Sequence, residues 1–274
     1  LGLDIKLPGN ANLSIEGILS KTLNNIVYTN INSDTAKSAN GPWSGGGDDR
    51  TVYANKSIVS NYSAIYLASN TSKGSTYSIT SSLSKRFHNG LSGSVSYTFG
   101  DAFSLSDGSS SQNSSQWRGQ VNVDGRNNPD FGRSDYAIGH RVMANLGYVI
   151  NWAKKSLYNT SITLFYDGHN NQAYSYLIDN ASNPNGETGS TGRNRSLVYV
   201  PIDQNDITLV DYKDAKGNTI SAATQWDNLN KYIDSDPYLS KHRGEYVEKN
   251  SNLGLFTNYF DLALRQDLGM KINN

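Results

Sequence analysis

The stretch from residue 91 to residue 105 alternates between two kinds of side chain. One parity carries apolar and aromatic residues with one glycine, at Leu91, Gly93, Val95, Tyr97, Phe99, Phe103 and Leu105. The other parity carries Ser92, Ser94, Ser96 and Thr98. Alternation with a period of two predicts a β-strand with two different faces. Because serine and threonine suit water better than a packed core, such a strand can lie between lipid and an aqueous lumen.

Three hairpins repeat this pattern. Their short turns are predicted at Pro8-Gly9-Asn10, at Phe87-His88-Asn89-Gly90 and at Ala153-Lys154-Lys155. The connections on the other side are long and polar, and they cover residues 24–63, 106–139 and 168–256. Short turns on one rim and long loops on the other are typical of outer-membrane barrels. A soluble β-sandwich stays open as an alternative, because alternation alone fits both.

One segment of the last long connection has a helical pattern. Thr224 and Asp227 have the spacing of a helix-capping pair, and Pro237 predicts the end of the helix. Apolar residues follow at helical spacing, at Trp226, Leu229 and Ile233. We therefore expect one short helix within a long loop.

Composition and charge exclude several classes of function. The chain has 274 residues with 24 Lys and Arg against 24 Asp and Glu, so no net charge favours nucleic acid as a partner. It has no cysteine, which excludes thiolate metal sites and disulfides. No apolar run approaches the roughly 20 residues of a membrane-spanning helix. The histidines, at His88, His140, His169 and His242, are scattered without metal-ligand spacing, and no nucleotide or hydrolase motif occurs. We expect no cofactor, no metal site and no enzymatic activity.

Aromatic residues give the candidate contact sites. Those in the long connections are candidates for facing a ligand, although they fit equally well as the loops' own small cores: Trp43, Tyr174, Tyr176 and Trp226. Those in the strands are candidates for the membrane interfaces: Tyr97, Phe99, Tyr148, Trp152 and Tyr166. We expect a solvated loop at Asp48-Asp49-Arg50 and a flexible loop at 180–194.

Five stretches resemble the TonB-dependent outer-membrane receptors of Bacteroidota, specifically the Oar-like branch. They are residues 69–102, residues 161–176 (SITLFYDGHNNQAYSY), residues 196–201 (SLVYVP), residues 225–250 (QWDNLNKYIDSDPYLSKHRGEYVEKN) and residues 258–268. The resemblance implies an all-β fold in which residues 1–274 are a segment of a transmembrane antiparallel β-barrel. About seven spanning strands of a twenty-two-stranded barrel are expected, with long extracellular loops and one short loop helix. The plug, the TonB box and the family's last strands are not found in the sequence, so we expect an internal fragment of a longer receptor.

The resemblance also implies a location and partners. The location is the cell outer membrane of a Gram-negative bacterium. The partners are outer-membrane lipid, the TonB complex through an N-terminal part outside this sequence, and a surface lipoprotein or another outer-membrane protein. The function that follows is energised substrate uptake. The alternatives are a barrel scaffold for surface protein partners without transport, and a soluble β-sandwich adhesin.

Overall fold

The computed structural model describes residues 1–37, 46–108, 110–152, 158–178, 183–189 and 195–268. The strands are β1 (Gly2–Leu7), β2 (Ala11–Lys21), β3 (Asn25–Asn30), β4 (Tyr66–Thr71), β5 (Gly74–Arg86), β6 (Leu91–Ser104), β7 (Gly132–Arg133), β8 (Gly139–Asn151), β9 (Tyr158–Asn170), β10 (Tyr199–Val200), β11 (Tyr212–Lys213), β12 (Thr219–Ile220), β13 (Glu245–Tyr246) and β14 (Phe256–Leu268). The helices are α1 (Asn113–Arg118), α2 (Ala222–Ser235) and a 3₁₀ turn at Leu239–Lys241.

Seven strands in the described part of the chain form one antiparallel sheet, which we call the wall. Its order is β1-β2-β5-β6-β8-β9-β14, and β7 adds two residues beside the end of β6. The pairing of β5 with β6 runs without a break from Gly74 opposite Ser104 to Arg86 opposite Ser92. Long antiparallel neighbours with a continuous ladder confirm the predicted all-β barrel segment and its seven spanning strands.

The register keeps the two parities on separate faces across the wall. Leu83 lies opposite Val95, and Val95 lies opposite Ala144. Leu164 lies opposite both Leu146 and Leu262. We call this side the apolar face. Because paired residues in an antiparallel sheet point to the same side, a shift of one residue would move each apolar row to the other face.

The opposite side, the polar face, carries hydroxyl and amide groups. Ser82 lies opposite Ser96. The hydroxyls of Thr80 and Thr98 are hydrogen-bonded at 3.0 Å, and the Asn145 amide donates to Oγ of Ser94 at 2.9 Å. These side chains satisfy one another across the strands and leave further hydrogen-bonding capacity for water.

No second layer of described residues packs on the apolar face. Val95, Leu146 and Leu262 are 45%, 51% and 73% exposed. In a soluble sandwich these side chains would be packed against a second sheet. A single layer with one apolar and one polar face is instead the arrangement of a membrane barrel wall.

Two of the three predicted turns are described, and both match the prediction. Gly9 and Asn10 have φ of +74° and +60°, the left-handed pair of a tight hairpin turn. Gly90 has φ of +86°, and a Cβ there would lie 2.5 Å from the carbonyl oxygen of Val149. Glycine is therefore required at that turn for conformation and for space. The predicted turn at residues 153–155 lies outside the described residues.

The long connections contain more regular structure than the sequence predicts. Residues 24–63 are expected to be loop, yet β3 pairs with β4 and continues the β2–β5 hairpin beyond the wall. One loop helix is expected, yet α1 is a second helix in the described residues. The prediction failed there because α1 has six residues and no side-chain cap, and short polar segments give no periodic signal.

The helix predicted in the last connection is α2, and it begins one turn earlier than expected. Oγ of Ser221 accepts a hydrogen bond from the backbone N–H of Thr224 at 3.1 Å, so Ser221 is the N-cap and Thr224 lies inside the helix. The helix ends at Ser235, two residues before Pro237. Proline therefore limits the helix as predicted.

The two faces predict a pattern of chemical labelling. Because the protein has no cysteine, the labelling of a single introduced cysteine can be measured without background from other thiols. Cysteine at Val95 or Leu146, on the apolar face, should be shielded from a small polar thiol reagent in membranes, because lipid excludes the reagent. Cysteine at Ser94 or Asn145, the matched neighbours on the polar face, should react. Equal labelling of the two pairs would contradict a membrane barrel.

Candidate functional site

The three long connections all leave the wall at the rim opposite the tight turns. They cover residues 22–73, 105–138 and 171–255, and we call them the first, second and third connections. Their described parts pack on one another and form what we call the loop body. Of the buried apolar residues in the described chain, Ala11 and Ala102 lie in the wall and the others lie in this loop body.

The loop body has its own apolar core, built from two connections. Val121 comes from the second connection, and the remaining members come from the third: Leu197, Val200, Ile233, Leu239 and Val247. The helix α2 contributes Ile233 directly and packs Leu229 against the same cluster. The i, i+4 spacing of these two residues places them on one face of α2.

A second apolar contact joins α1 to the first connection. Trp117 of α1 is fully buried, and its ring centre lies 5.5 Å from that of Tyr66. Its indole N–H donates to Oδ1 of Asn127 at 2.8 Å. The guanidinium of Arg126 lies 5.5 Å from the indole ring, a cation–π distance. The contacts of Trp117 therefore fix α1 in the loop body, although this short helix has no side-chain cap.

Asn185 joins all three connections through one side chain. Its amide nitrogen donates to the carbonyl oxygens of Thr51 and Val123, at 2.9 and 2.7 Å, and its Oδ1 accepts from the Ser196 hydroxyl at 3.1 Å. Asn185 is 1% exposed. It lies within residues 180–194, which we expected to be a flexible loop. That expectation is wrong for the described residues 183–189, because Asn185 and Glu187 are both buried there.

Two buried ion pairs reinforce these links. Asp48 and Arg50 pair at 2.8 Å, and Arg50 also donates to the carbonyl oxygen of Leu197 at 3.0 Å. Arg126 and Glu187 pair at 3.0 Å. The sequence interpretation of 48–50 as a solvated loop is therefore wrong. Tyr246 donates toward Asp48, and burial together with the Asp49 and Asp48 carboxylates raises the pKa of its hydroxyl.

Lys249 joins the third connection to the second by a further buried ion pair and to the wall by a hydrogen bond. The ammonium of Lys249 lies 3.0 Å from Oδ2 of Asp107 and donates to the carbonyl oxygen of Ser104 at 3.1 Å. The side chains of Lys249 and Asp107 are 3% and 9% exposed. Burial disfavours the charged carboxylate, but the Lys249 ammonium and hydrogen bonds from the Ser104 and Ser134 hydroxyls outweigh burial and lower the pKa of Asp107.

The loop body contains an apolar cavity of about 350 Å³ between α2 and the strand β10. Its walls are mostly aliphatic: Leu177, Ile178, Val198, Val200, Pro201, Ile207, Leu229, Ile233 and Leu239. Polar atoms reach it from Asp48, Tyr176, Tyr199 and Tyr232. A concave apolar site with a few polar groups is the usual form of a small-molecule site.

On the polar face of the wall, a cluster of charged and aromatic side chains lies close to the loop rim. Arg141 makes two hydrogen bonds to Asp167, at 3.1 and 2.8 Å. His169 has Nδ1 3.3 Å from the same carboxylate, and its ring stacks on Tyr259 with the ring centres 5.6 Å apart. These side chains are partly exposed and would face the lumen of a closed barrel.

The structure separates the four loop aromatics proposed as ligand contacts. Tyr176 donates a hydrogen bond to Asp236, stacks on Tyr238 and packs against the apolar core, so it serves the loop body itself. Tyr174 is about half exposed and Trp226 is half-buried on α2. Trp43 lies outside the described residues.

The five aromatics expected at the membrane interfaces all lie on the apolar side of the wall. Tyr97, Phe99 and Tyr166 are nearer the loop rim, and Tyr148 and Trp152 are nearer the turns. The Tyr97 hydroxyl is hydrogen-bonded to Nδ1 of His140 at 2.7 Å. Contact of these rings with the lipid headgroups stays a prediction.

Sequence reasoning missed Asn185, Arg126, Glu187, Asp107 and Lys249. Each is polar and lies in a polar segment, and its partner is distant in the chain, so no local pattern marks it. Within the described residues, no three or more His, Asp or Glu side chains come together as a metal site. None of the described helices is long and apolar enough to span a membrane.

Replacing Asp107 with asparagine should loosen the loop body without affecting the wall. The Lys249 ammonium would be left buried without its carboxylate, and removing one partner of a buried pair costs about 3–5 kcal/mol. Hydrogen exchange should become faster in residues 245–251 while β5 and β6 stay protected. Asp227→Asn on the exposed side of α2 is the control. Unchanged exchange in Asp107→Asn would show that the pair does not hold the loop body.

The lowered pKa of Asp107 predicts an acid-sensitive loop body. A carboxyl group whose pKa is lower in the folded state stabilises that state fully above its unfolded pKa of about 3.9 and loses this contribution as the pH falls through the folded pKa. Protection of residues 245–251, corrected for intrinsic exchange rates, should therefore fall below about pH 4. Asp107→Asn should lack this acid step. The same step in both proteins would assign it to another group.

A family comparison identifies the wall. Residues 1–170, which include β1 to β9, match a family model described as an outer membrane beta barrel domain. Neither the comparison with curated proteins nor the comparison with solved structures gives a match. The match covers more than half of the 274 residues. The chain therefore belongs to the outer membrane beta barrel domain family and lies in the outer membrane of a Gram-negative bacterium.

Proposed function

We propose that the chain forms part of the wall and the extracellular loops of a TonB-dependent transporter of the Oar-like branch in Bacteroidota, as the resembling stretches imply. The barrel takes up a substrate with energy supplied through the TonB complex. The chain itself carries out no chemical reaction and needs no cofactor. The observation that carries the proposal is a folded loop body at the rim of a polar lumen-facing surface.

The polar face supports a transport role because it offers many weak contacts. Hydroxyl and amide groups such as those of Ser94, Thr98 and Asn145 exchange readily between water and a solute. Arg141 and Asp167 already satisfy each other. On the described part of this face, a solute would meet no isolated buried charge that could trap it.

The loop body supports a recognition role because it is ordered and lies where a solute would arrive. Buried ion pairs hold the connections in one arrangement, so exposed side chains on them are preorganised for binding. Among the predicted ligand contacts, Tyr174 and Trp226 are the described residues available for this role. Trp43 is retained as a third candidate from the sequence.

The partners in this proposal follow from the two surfaces of the barrel. Outer-membrane lipid covers the apolar face, with Tyr97, Phe99, Tyr148, Trp152 and Tyr166 at the interfaces. The TonB complex acts through a segment outside this sequence, and a surface lipoprotein or another outer-membrane protein contacts the loops.

The second candidate function is a scaffold for a surface protein, without transport. It is favoured by exposed apolar side chains in the first connection, at Ile58, Val59 and Tyr62. These side chains are held in place from within, because the Asn32 amide donates to the carbonyl oxygens of Val59 and Tyr62. An ordered apolar surface is typical of a protein contact. The soluble adhesin alternative is excluded by membership in the outer-membrane barrel family.

Substitutions on the polar face should separate the two functions. Ser96→Arg and Thr98→Arg place large charged groups in the lumen and leave the apolar face and the loops unchanged. If the barrel transports, these variants should lose uptake of a nutrient that the wild type restores to a deletion strain, while surface binding of that nutrient persists. Uptake should also disappear in a strain without TonB.

The matched control is the pair Ile58→Ser and Tyr62→Ser on the first connection. A scaffold would lose its protein partner with this pair and would tolerate the arginine variants without any phenotype. Heat-modifiable mobility on a gel confirms barrel assembly in every variant. Equal uptake of every tested nutrient by the wild type and by the deletion strain would contradict transport.

A further inference from the structure

The apolar cavity of the loop body is a part of the structure that a transport role does not explain. It lies between α2 and residues 198–201 and is partly open to solvent. Val200, Ile233 and Leu239 belong to the buried core and also line the cavity. Tyr232, which is 54% exposed, lies at its edge.

Three of the four polar side chains at this cavity already have hydrogen-bonding partners within the protein. The Tyr176 hydroxyl donates to Asp236, and the Tyr199 hydroxyl donates to Asp206 at 2.7 Å. Burial and the Asp206 carboxylate raise the pKa of Tyr199 to about 12, so this hydroxyl stays a neutral donor to its own partner. The Asp48 carboxylate is bound by Arg50 and Tyr246.

Water is a poor occupant for such a space. Water next to an aliphatic lining has few hydrogen-bonding partners, and an apolar group that displaces such poorly ordered water gains affinity. A space of about 350 Å³ lined by aliphatic side chains is large enough for one substituted ring.

We infer that this cavity is a binding site for a small neutral apolar molecule, of the size of a single substituted aromatic ring. The cavity wall offers mostly aliphatic contact. The carboxylate of Asp48 at the wall and those of Asp206 and Asp236 behind the tyrosines disfavour an anion. A sugar or a peptide backbone would find its polar groups without partners.

The inference stands apart from the proposed transport, since binding to the loop body is measured directly and holds for a scaffold as well. The probes are xenon and 4-fluorotoluene, added to the intact outer-membrane protein in detergent micelles. In xenon-pressurised crystals, an ordered xenon atom should lie between Val200, Leu229 and Ile233. Fluorine NMR should give saturable binding of 4-fluorotoluene, and 4-fluorobenzoate should bind at least about tenfold more weakly.

Filling the cavity provides the control. Leu229→Trp places an indole in the cavity and should remove the xenon site and weaken 4-fluorotoluene binding at least about tenfold. Asn228→Trp adds the same group to the exposed side of α2 and should leave both unchanged. Val198→Phe fills the cavity from the side facing α2, just before β10, and gives the same test if Leu229→Trp disturbs α2.

Three outcomes would overturn the inference. They are the absence of ordered xenon in the wild type, equal binding of 4-fluorotoluene by the wild type and both filled variants, and equal binding of 4-fluorobenzoate. Detergent takes up the probe to the same extent in every sample, so only the difference between Asn228→Trp and the filled variants counts.

Discussion

The backbone ladder of the wall is the constraint on which the rest of the structure depends. Each wall strand is hydrogen-bonded to its neighbours, and the wall of an outer-membrane barrel has lipid on one side and water on the other. Such a sheet has no interior. Leu83, Val95 and Ala144 form a row that lipid must cover, and Ser82 and Ser96 form a row that water must reach. The strict alternation along β6 is the direct result, because each parity has a different solvent.

A wall without a core leaves the connections to build their own. The apolar cluster around Val200 and Ile233 is small, and the rest of the loop body is held by polar side chains that bond irregular backbone. Asn185 is the clearest case, since it satisfies two carbonyl groups from two other connections where no strand could pair with them. The buried pair of Arg126 and Glu187 works in the same way. Polar side chains here replace the ladder that the wall obtains from its strands.

This division explains how far the sequence could be interpreted. Period-two alternation arises from local neighbours, so the wall strands, their faces and the turns at Gly9 and Gly90 were predictable, and so was α2 from its spacing. The links of the loop body depend on partners far apart in the chain. The sequence around Asp48 and Arg50 is typical of a solvated charged loop. The hydrogen bond from Arg50 to the carbonyl oxygen of Leu197, a residue far away in the chain, shows that it is buried. From the sequence, Tyr176 fits a ligand contact and a core residue equally well. Its hydrogen bond to Asp236 in the structure assigns it to the core of the loop body.

The same polar links limit which side chains of the loop body are available to contact a ligand. The hydroxyl groups of Tyr176, Tyr199 and Tyr246 donate to carboxylates within the loop body. These hydroxyls are therefore not available to bind a ligand. What remains is an exposed surface that includes Tyr174 and an apolar cavity lined from α2 and β10. Because Val200 and Ile233 serve both the core and the cavity, a molecule bound there would add contacts to the elements that hold α2 in place. Binding would then stabilise the loop body, since a ligand that binds only the folded arrangement shifts the equilibrium towards it. Ligand binding and the stability of the loop body would then depend on the same aliphatic side chains, Val200 and Ile233.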